Sequence, residues 1–114
     1  MRFSTSLKNN YEFRRLYAKG KSTSSKYAAV YCRKNKSRKN KLGITVSTKI
    51  GKAVQRNRIR RRFREIYRLN EDKLESGYDI VIVARSKSKY VRYCELESDF
   101  LRLCSKLAIG VNKS

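Results

Sequence analysis

The chain has 114 residues, enough for one domain (residues 1–114) that buries roughly two-thirds of its unfolded surface without disulfide or metal staples. Thirty Lys and Arg oppose nine Asp and Glu, and the formal charge of +21 implies a self-repulsion that a polyanionic partner would offset. The absence of His excludes imidazole bases and the common imidazole metal ligand, while Cys32, Cys94 and Cys104 form no C-x-x-C and leave one thiol over in any disulfide scheme, so reduced and mostly buried cysteines are expected.

In chain order, Asn10 is placed to cap a short helix over residues 11–19, with Gly20 at its end and Phe13, Leu16 and Tyr17 on one side. Residues 21–26, rich in Ser, Thr and Lys, read as a loop. Residues 27–33 alternate like a strand, with Tyr27, Ala29, Tyr31 and Arg33 pointing one way. Residues 34–41 read as a hydrophilic, basic and mobile connection. The clearest period-two run follows, with Leu42, Ile44 and Val46 toward a core and Gly43, Thr45 and Ser47 away from it.

A helix is expected from near Ala53 to near Leu69, with Asn57 as an alternative cap. At about 100° per residue, Ile59, Phe63, Ile66 and Tyr67 share one face and Asn57, Arg60, Arg61, Arg64 and Arg68 the opposite one. Only Glu65 lies within a turn of Arg61 and Arg62 to neutralise them. A solvated cationic face is the ordinary outcome for a charge run, but sorting this clean favours a row of guanidinium forks aimed at nucleic-acid phosphates. Residues 78–84 are apolar almost throughout, as in a strand covered on both faces. Tyr93, Leu96, Phe100, Leu103, Cys104 and Leu107 then line one arc of a packing helix within residues 90–109, with Glu95, Asp99, Arg102 and Lys106 opposite. The order helix-strand-strand-helix-strand-helix makes a two-layer α/β sandwich.

Phosphodiester cleavage by the chain alone would need a convergent carboxylate cluster. Glu71, Asp72, Glu75, Glu95, Glu97 and Asp99 show none, and Asp79 stands alone at a strand entry, so no catalytic residue is assigned. Met1-Arg2-Phe3-Ser4 is not followed by an apolar signal region, and no stretch approaches membrane-spanning length, so a cytoplasmic location without membrane contact is expected. Among other classes, a structural RNA-binding protein of the ribosomal type shares the charge and the sandwich. A metal-dependent nuclease acting without RNA and a DNA-compacting protein fit less of the pattern.

The spaced pattern Lys49-x-Gly51-x-Ala53-Val54-x-Arg56-Asn57-x-x-Arg60-Arg61-x-x-Arg64 lies between Leu42-Gly-Ile-Thr-Val-Ser-Thr-Lys49 and Tyr78-Asp-Ile-Val-Ile-Val-Ala-Arg85. It resembles the signature of the bacterial ribonuclease P protein family, and the resemblance extends from Leu7 to about Leu107. It implies a strand-helix-strand crossover of the rare left-handed type, where the general rule favours the right-handed one. It also implies a large catalytic RNA as partner, one protein per RNA, and precursor transfer RNA as the substrate from which the 5′ leader is removed. Chemistry would belong to the RNA and to magnesium held mainly by it; no cofactor is expected on the protein alone.

Two RNA-facing surfaces carry over from the resemblance. Lys49, Arg56, Asn57, Arg60, Arg61 and Arg64 match the positions that lie against the catalytic RNA; Lys52, Arg58, Arg62 and Arg68 are basic beside them. Gly51 would allow a turn or close approach, and Ala53 and Val54 would pack. Phe13, Tyr17 and Tyr31 match aromatic positions of a leader-holding cleft, with Thr45 and Ser47 on the adjoining strand. By residue type alone, Phe13 fits a core as well as a cleft, and Tyr17 stands where the family often has Phe.

Overall fold

The computed structural model describes residues 4–6, 14, 16–18, 20–35 and 39–107. Five strands, β1 (Ser4–Ser6), β2 (Lys21–Ser24), β3 (Ala28–Lys34), β4 (Asn40–Thr45) and β5 (Tyr78–Ala84), form one sheet in the order β1-β4-β5-β3-β2. β4 runs parallel to both β1 and β5, and β3 runs antiparallel to both β5 and β2. Helical residues 14 and 16–18 belong to α1; α2 spans Ala53–Asn70 and α3 Tyr93–Lys106. The parallel pair β4 and β5 is joined through α2, the crossover unit that parallel neighbours require.

Pleat alternation decides which face each side chain serves. Val30, Cys32, Leu42, Ile80 and Ile82 meet Ile59, Phe63, Ile66 and Tyr67 of α2 and Leu96, Phe100 and Leu103 of α3 in the main core. The opposite face carries a second cluster, where Leu16 of α1 covers Val81 beside Tyr31 and Val83. β5 is therefore buried on both sides, as its unbroken apolar run predicts. Cys32 and Cys104 are buried and Cys94 is exposed. Burial pushes the Cys104 thiol up to about 12, so it behaves as a small hydrophobe at neutral pH.

Several local expectations are corrected. Lys21–Ser24 is an edge strand rather than a loop, held by backbone pairing to β3 despite having no apolar residue. Ser4–Ser6 adds the other edge. Tyr27 precedes its strand and packs against the main core instead of sharing the Tyr31 face, because Ser25 Oγ accepts the Tyr27 and Ala28 N–H groups (3.1 and 3.3 Å) in a turn that resets the alternation.

The basic connection ends in a buried anchor. Asn40 is 3% exposed, donates to Tyr67 Oη (3.2 Å) and the Glu75 carbonyl (3.0 Å), and accepts from Tyr78 N–H (2.8 Å). Asp99, placed on the polar arc of α3, is also buried; it accepts from Ser25 Oγ at 2.5 Å and Arg102 at 2.7 Å, which clamps the β2–β3 turn to α3. Asn10, residues 36–38 and the tail beyond Leu107 lie outside the described residues.

Gly20 ends α1 where no side chain fits. A Cβ there would lie 2.6 Å from the Leu16 carbonyl oxygen and 2.8 Å from that of Cys32, both backbone atoms. Gly20→Ala is therefore expected to pry α1 from β3 at a cost of about 1–3 kcal/mol. Thermal unfolding should show it as a drop of at least about 4 °C; an unchanged midpoint would mean that the contact relaxes freely.

Candidate nucleic-acid interface

α2 starts at Ala53, with Lys52 as the preceding cap residue, whose N–H is accepted by Gln55 Oε1 at 3.1 Å. Asn57 thus lies inside the helix and is not its cap. Gly51 leaves room for that Gln55 amide, since a Cβ there would come within 2.1 Å of Oε1. Arg56 Nε donates to the Gly51 carbonyl (3.2 Å), which ties the lead-in bearing Lys49 and Lys52 to the helix. Lys49 and Lys52 are both exposed.

The apolar face of α2 is buried as expected, and Arg58, Arg61, Arg64 and Arg68 are exposed. Arg60 is half-buried and donates to Asn57 Oδ1 (3.1 Å), an intrahelical contact that fixes its guanidinium along the rod. Glu65 pairs with Arg68, one turn ahead, rather than with Arg61 or Arg62, and the pairing holds its carboxyl below the usual range. Among the described residues no carboxylate pairs with Arg58, Arg60, Arg61 or Arg64. Three residues depart from their expected roles. Ala53 is exposed and Val54 is 80% exposed, so neither is a packing residue. Arg62 turns inward, donating to the Ser88 carbonyl (3.2 Å) and the Val91 carbonyl (2.5 Å), and burial lowers its pKa.

The aromatic slot lies on the other side of the sheet. The rings of Tyr17 and Tyr31 meet edge to face at 4.9 Å and 79°. Tyr17 Oη and Thr45 Oγ1 share a hydrogen bond at 3.5 Å. Small residues floor the slot, because Val81 and Gly43 stand in register with Tyr31, and Val83 and Thr45 with Ala29. Tyr17, Tyr31 and Thr45 are therefore brought together, while Phe13 lies outside the described residues. Ser47 sits two residues further on, where its Oγ accepts the Lys49 N–H (3.2 Å) and caps the turn Thr48–Ile50.

Ser47 also lines an open depression of about 420 Å³ together with Lys26, Arg85, Ser86 and Lys87. The sequence reading missed these cations. Lys26 and Lys87 carry no motif, and the available signal was position alone, since Arg85 to Lys87 follow directly on the end of a central strand. Two of the carboxylates serve structure. Asp79 accepts from Asn35 (2.9 Å), Glu97 from Asn70 (2.7 Å), and among the described residues no three His, Cys, Asp or Glu converge on a metal-sized space.

An arginine rod above one face of a sheet and an aromatic slot on the other make an α/β protein of the kind suited to nucleic acid. The ribonuclease P family profile matches residues 1–108, and the chain belongs to the ribonuclease P protein family. It is 42% identical over 106 residues to the ribonuclease P protein component of Clostridioides difficile, spanning 92% of this chain and 93% of that one. To that of Lachnoclostridium phytofermentans it is 49% identical over 100 residues, spanning 88% and 86%. The fold superposes on the RNase P protein of Staphylococcus aureus with a TM-score of 0.83 at 32% identity, covering 94% and 97% of the two chains. For the RNase P protein of Thermotoga maritima the values are 0.82, 33%, 89% and 96%. No helix among the described residues is long and apolar enough to cross a membrane.

Proposed function

We propose that this chain is the RNA-binding subunit of a cytoplasmic ribonuclease P particle, one protein per catalytic RNA, that holds that RNA with α2 and the 5′ leader of precursor transfer RNA in the Tyr17–Tyr31 slot. The observation that carries the reading is the placement of the two surfaces on opposite sides of one sheet, so that both can be occupied at once. Exposed guanidinium groups without carboxylate partners suit phosphates of a folded RNA, with Lys49, Lys52, Arg56 and Asn57 at the start of the same rod. Tyrosine faces beside a hydroxyl suit an unpaired strand, because every base offers a π-face. Hydrolysis falls to the RNA, with magnesium held mainly by RNA supplying the activated water. The protein orients: four of its carboxylates, Asp79, Glu97, Glu65 and Asp99, are spent on Asn35, Asn70, Arg68, and Ser25 with Arg102.

Reconstitution tests this division of labour. Precursor transfer RNA, low magnesium and the catalytic RNA should give little mature product without the protein and efficient leader removal with it. The protein with magnesium alone should cut nothing. Equal processing with and without the protein would instead favour a ribosomal-type RNA-binding role, and cleavage by the protein alone would overturn the assignment of chemistry to RNA.

A further inference from the structure

We propose that the leader does not end at the slot: its upstream nucleotides cross the strand ends and stack on Tyr90, a second single-strand platform, an inference that rests on the leader reading above. Chain adjacency and shared lining residues trace the path. Thr45 borders the slot, Ser47 lies two residues further, and the depression containing Ser47 and Arg85 shares Lys26 and Lys87 with a second one of about 410 Å³. That second depression is walled by Tyr27, Tyr90, Val91 and Arg92, with Glu95 as its one acid.

Tyr90 is 83% exposed, an aromatic ring held in water. Lys89 Nζ lies 5.5 Å from its centroid, and Lys26 Nζ lies 5.2 Å from that of Tyr27. Each cation–aromatic pair presents what a nucleotide needs, a ring for the base and an ammonium for the phosphate. The corner is also built to stay in place. Arg62 of α2 grips the Ser88 and Val91 carbonyls on either side of Tyr90, and Ser88 Oγ donates to the Arg85 carbonyl at 2.6 Å. An arginine drawn from the phosphate-facing helix thus fixes the backbone beneath the exposed ring, so the platform is preorganised before any strand arrives. Cations outnumber the single acid along the path, which favours a phosphate backbone over an acidic-residue-poor protein surface.

The test uses the holoenzyme assembled on the catalytic RNA and three ligands: precursor with a long leader, precursor trimmed to the nucleotides that fill the slot, and mature transfer RNA. Y90A should bind the long-leader precursor about fivefold or more weakly while leaving the short-leader and mature affinities unchanged, and Y90F should restore the long-leader value because stacking needs no hydroxyl. Unchanged long-leader binding by Y90A would overturn the proposal and would be the result if the patch served a second protein or another copy of this chain. Equal losses on long and short leaders would overturn it too, since the ring would then act within the slot. Tyr31→Ala separates the two readings. If it weakens both precursors but spares mature transfer RNA while Y90A does nothing, only the extension fails. If it spares all three ligands, the slot itself is not a leader site and the extension falls with it.

Discussion

Replacing Arg60, Arg61 and Arg64 together with glutamine is expected to weaken binding to the catalytic RNA on the order of a hundredfold at physiological salt. The estimate follows from counterion release. Each phosphate neutralised contributes about 0.9 to the slope of log affinity against log salt, so losing three contacts should flatten that slope by about 2.7. These side chains project from a helix whose opposite face is locked into the core by Ile59, Phe63 and Ile66, so the substitutions should leave the fold intact. A binding titration across several salt concentrations decides the matter. An unchanged slope would remove α2 from the interface. Arg68→Gln makes a useful contrast, because Glu65 already shares its charge and its loss should move the slope less.

Asn40→Leu should be the most damaging single change in stability outside the apolar core. The leucine fills the site but offers neither donor nor acceptor, which strands the Tyr78 N–H, and the Glu75 carbonyl and Tyr67 hydroxyl each lose a donor. The Tyr78 N–H and the Glu75 carbonyl cost about 1–3 kcal/mol each when left unsatisfied, so a total of at least about 2 kcal/mol is expected. Thermal unfolding followed by circular dichroism should then show a midpoint lower by at least about 8 °C. A shift of less than about 4 °C would mean that water or a neighbouring group takes over the amide's role. The amide ties β4, the entry to β5 and the α2 tyrosine together, so its loss should also loosen the crossover that presents the arginine face.

What the sequence made legible were the elements whose side chains sort by burial. α2 was readable because Ile59, Phe63, Ile66 and Tyr67 recur at helical spacing against a row of cations, and β5 because an unbroken apolar run has few other uses. β2 was not readable. Lys-Ser-Thr-Ser carries no hydrophobic alternation, and an edge strand with one paired side is specified by its neighbour's backbone rather than by its own residues. Asn40 and Asp99 were hidden for a related reason. A polar side chain signals exposure until its partner is known, and Ser25 and Tyr78 lie far from them along the chain.

The site was legible to an uneven degree. The motif located the rod, and the family resemblance grouped Tyr17 with Tyr31, whose rings meet across an α1–β3 contact that no local pattern encodes. Arg62 shows the limit of counting charges. It is one of many arginines in sequence, yet tertiary contacts turn it from a phosphate candidate into a brace for the corner beneath Tyr90. The cations around Ser47 come from two distant segments, Lys26 and Arg85 with Lys87, and converge only when the strand ends and turns are assembled.

The central strand has an evolutionary corollary. Odd-numbered positions of β5 floor the slot, while even-numbered ones floor the core on which the arginine rod rests. Gaining or dropping one residue inside it would exchange the two sets and ruin both surfaces in a single event. Length changes there are tolerable only in pairs, so divergence should accumulate as substitutions within β5 and as indels elsewhere.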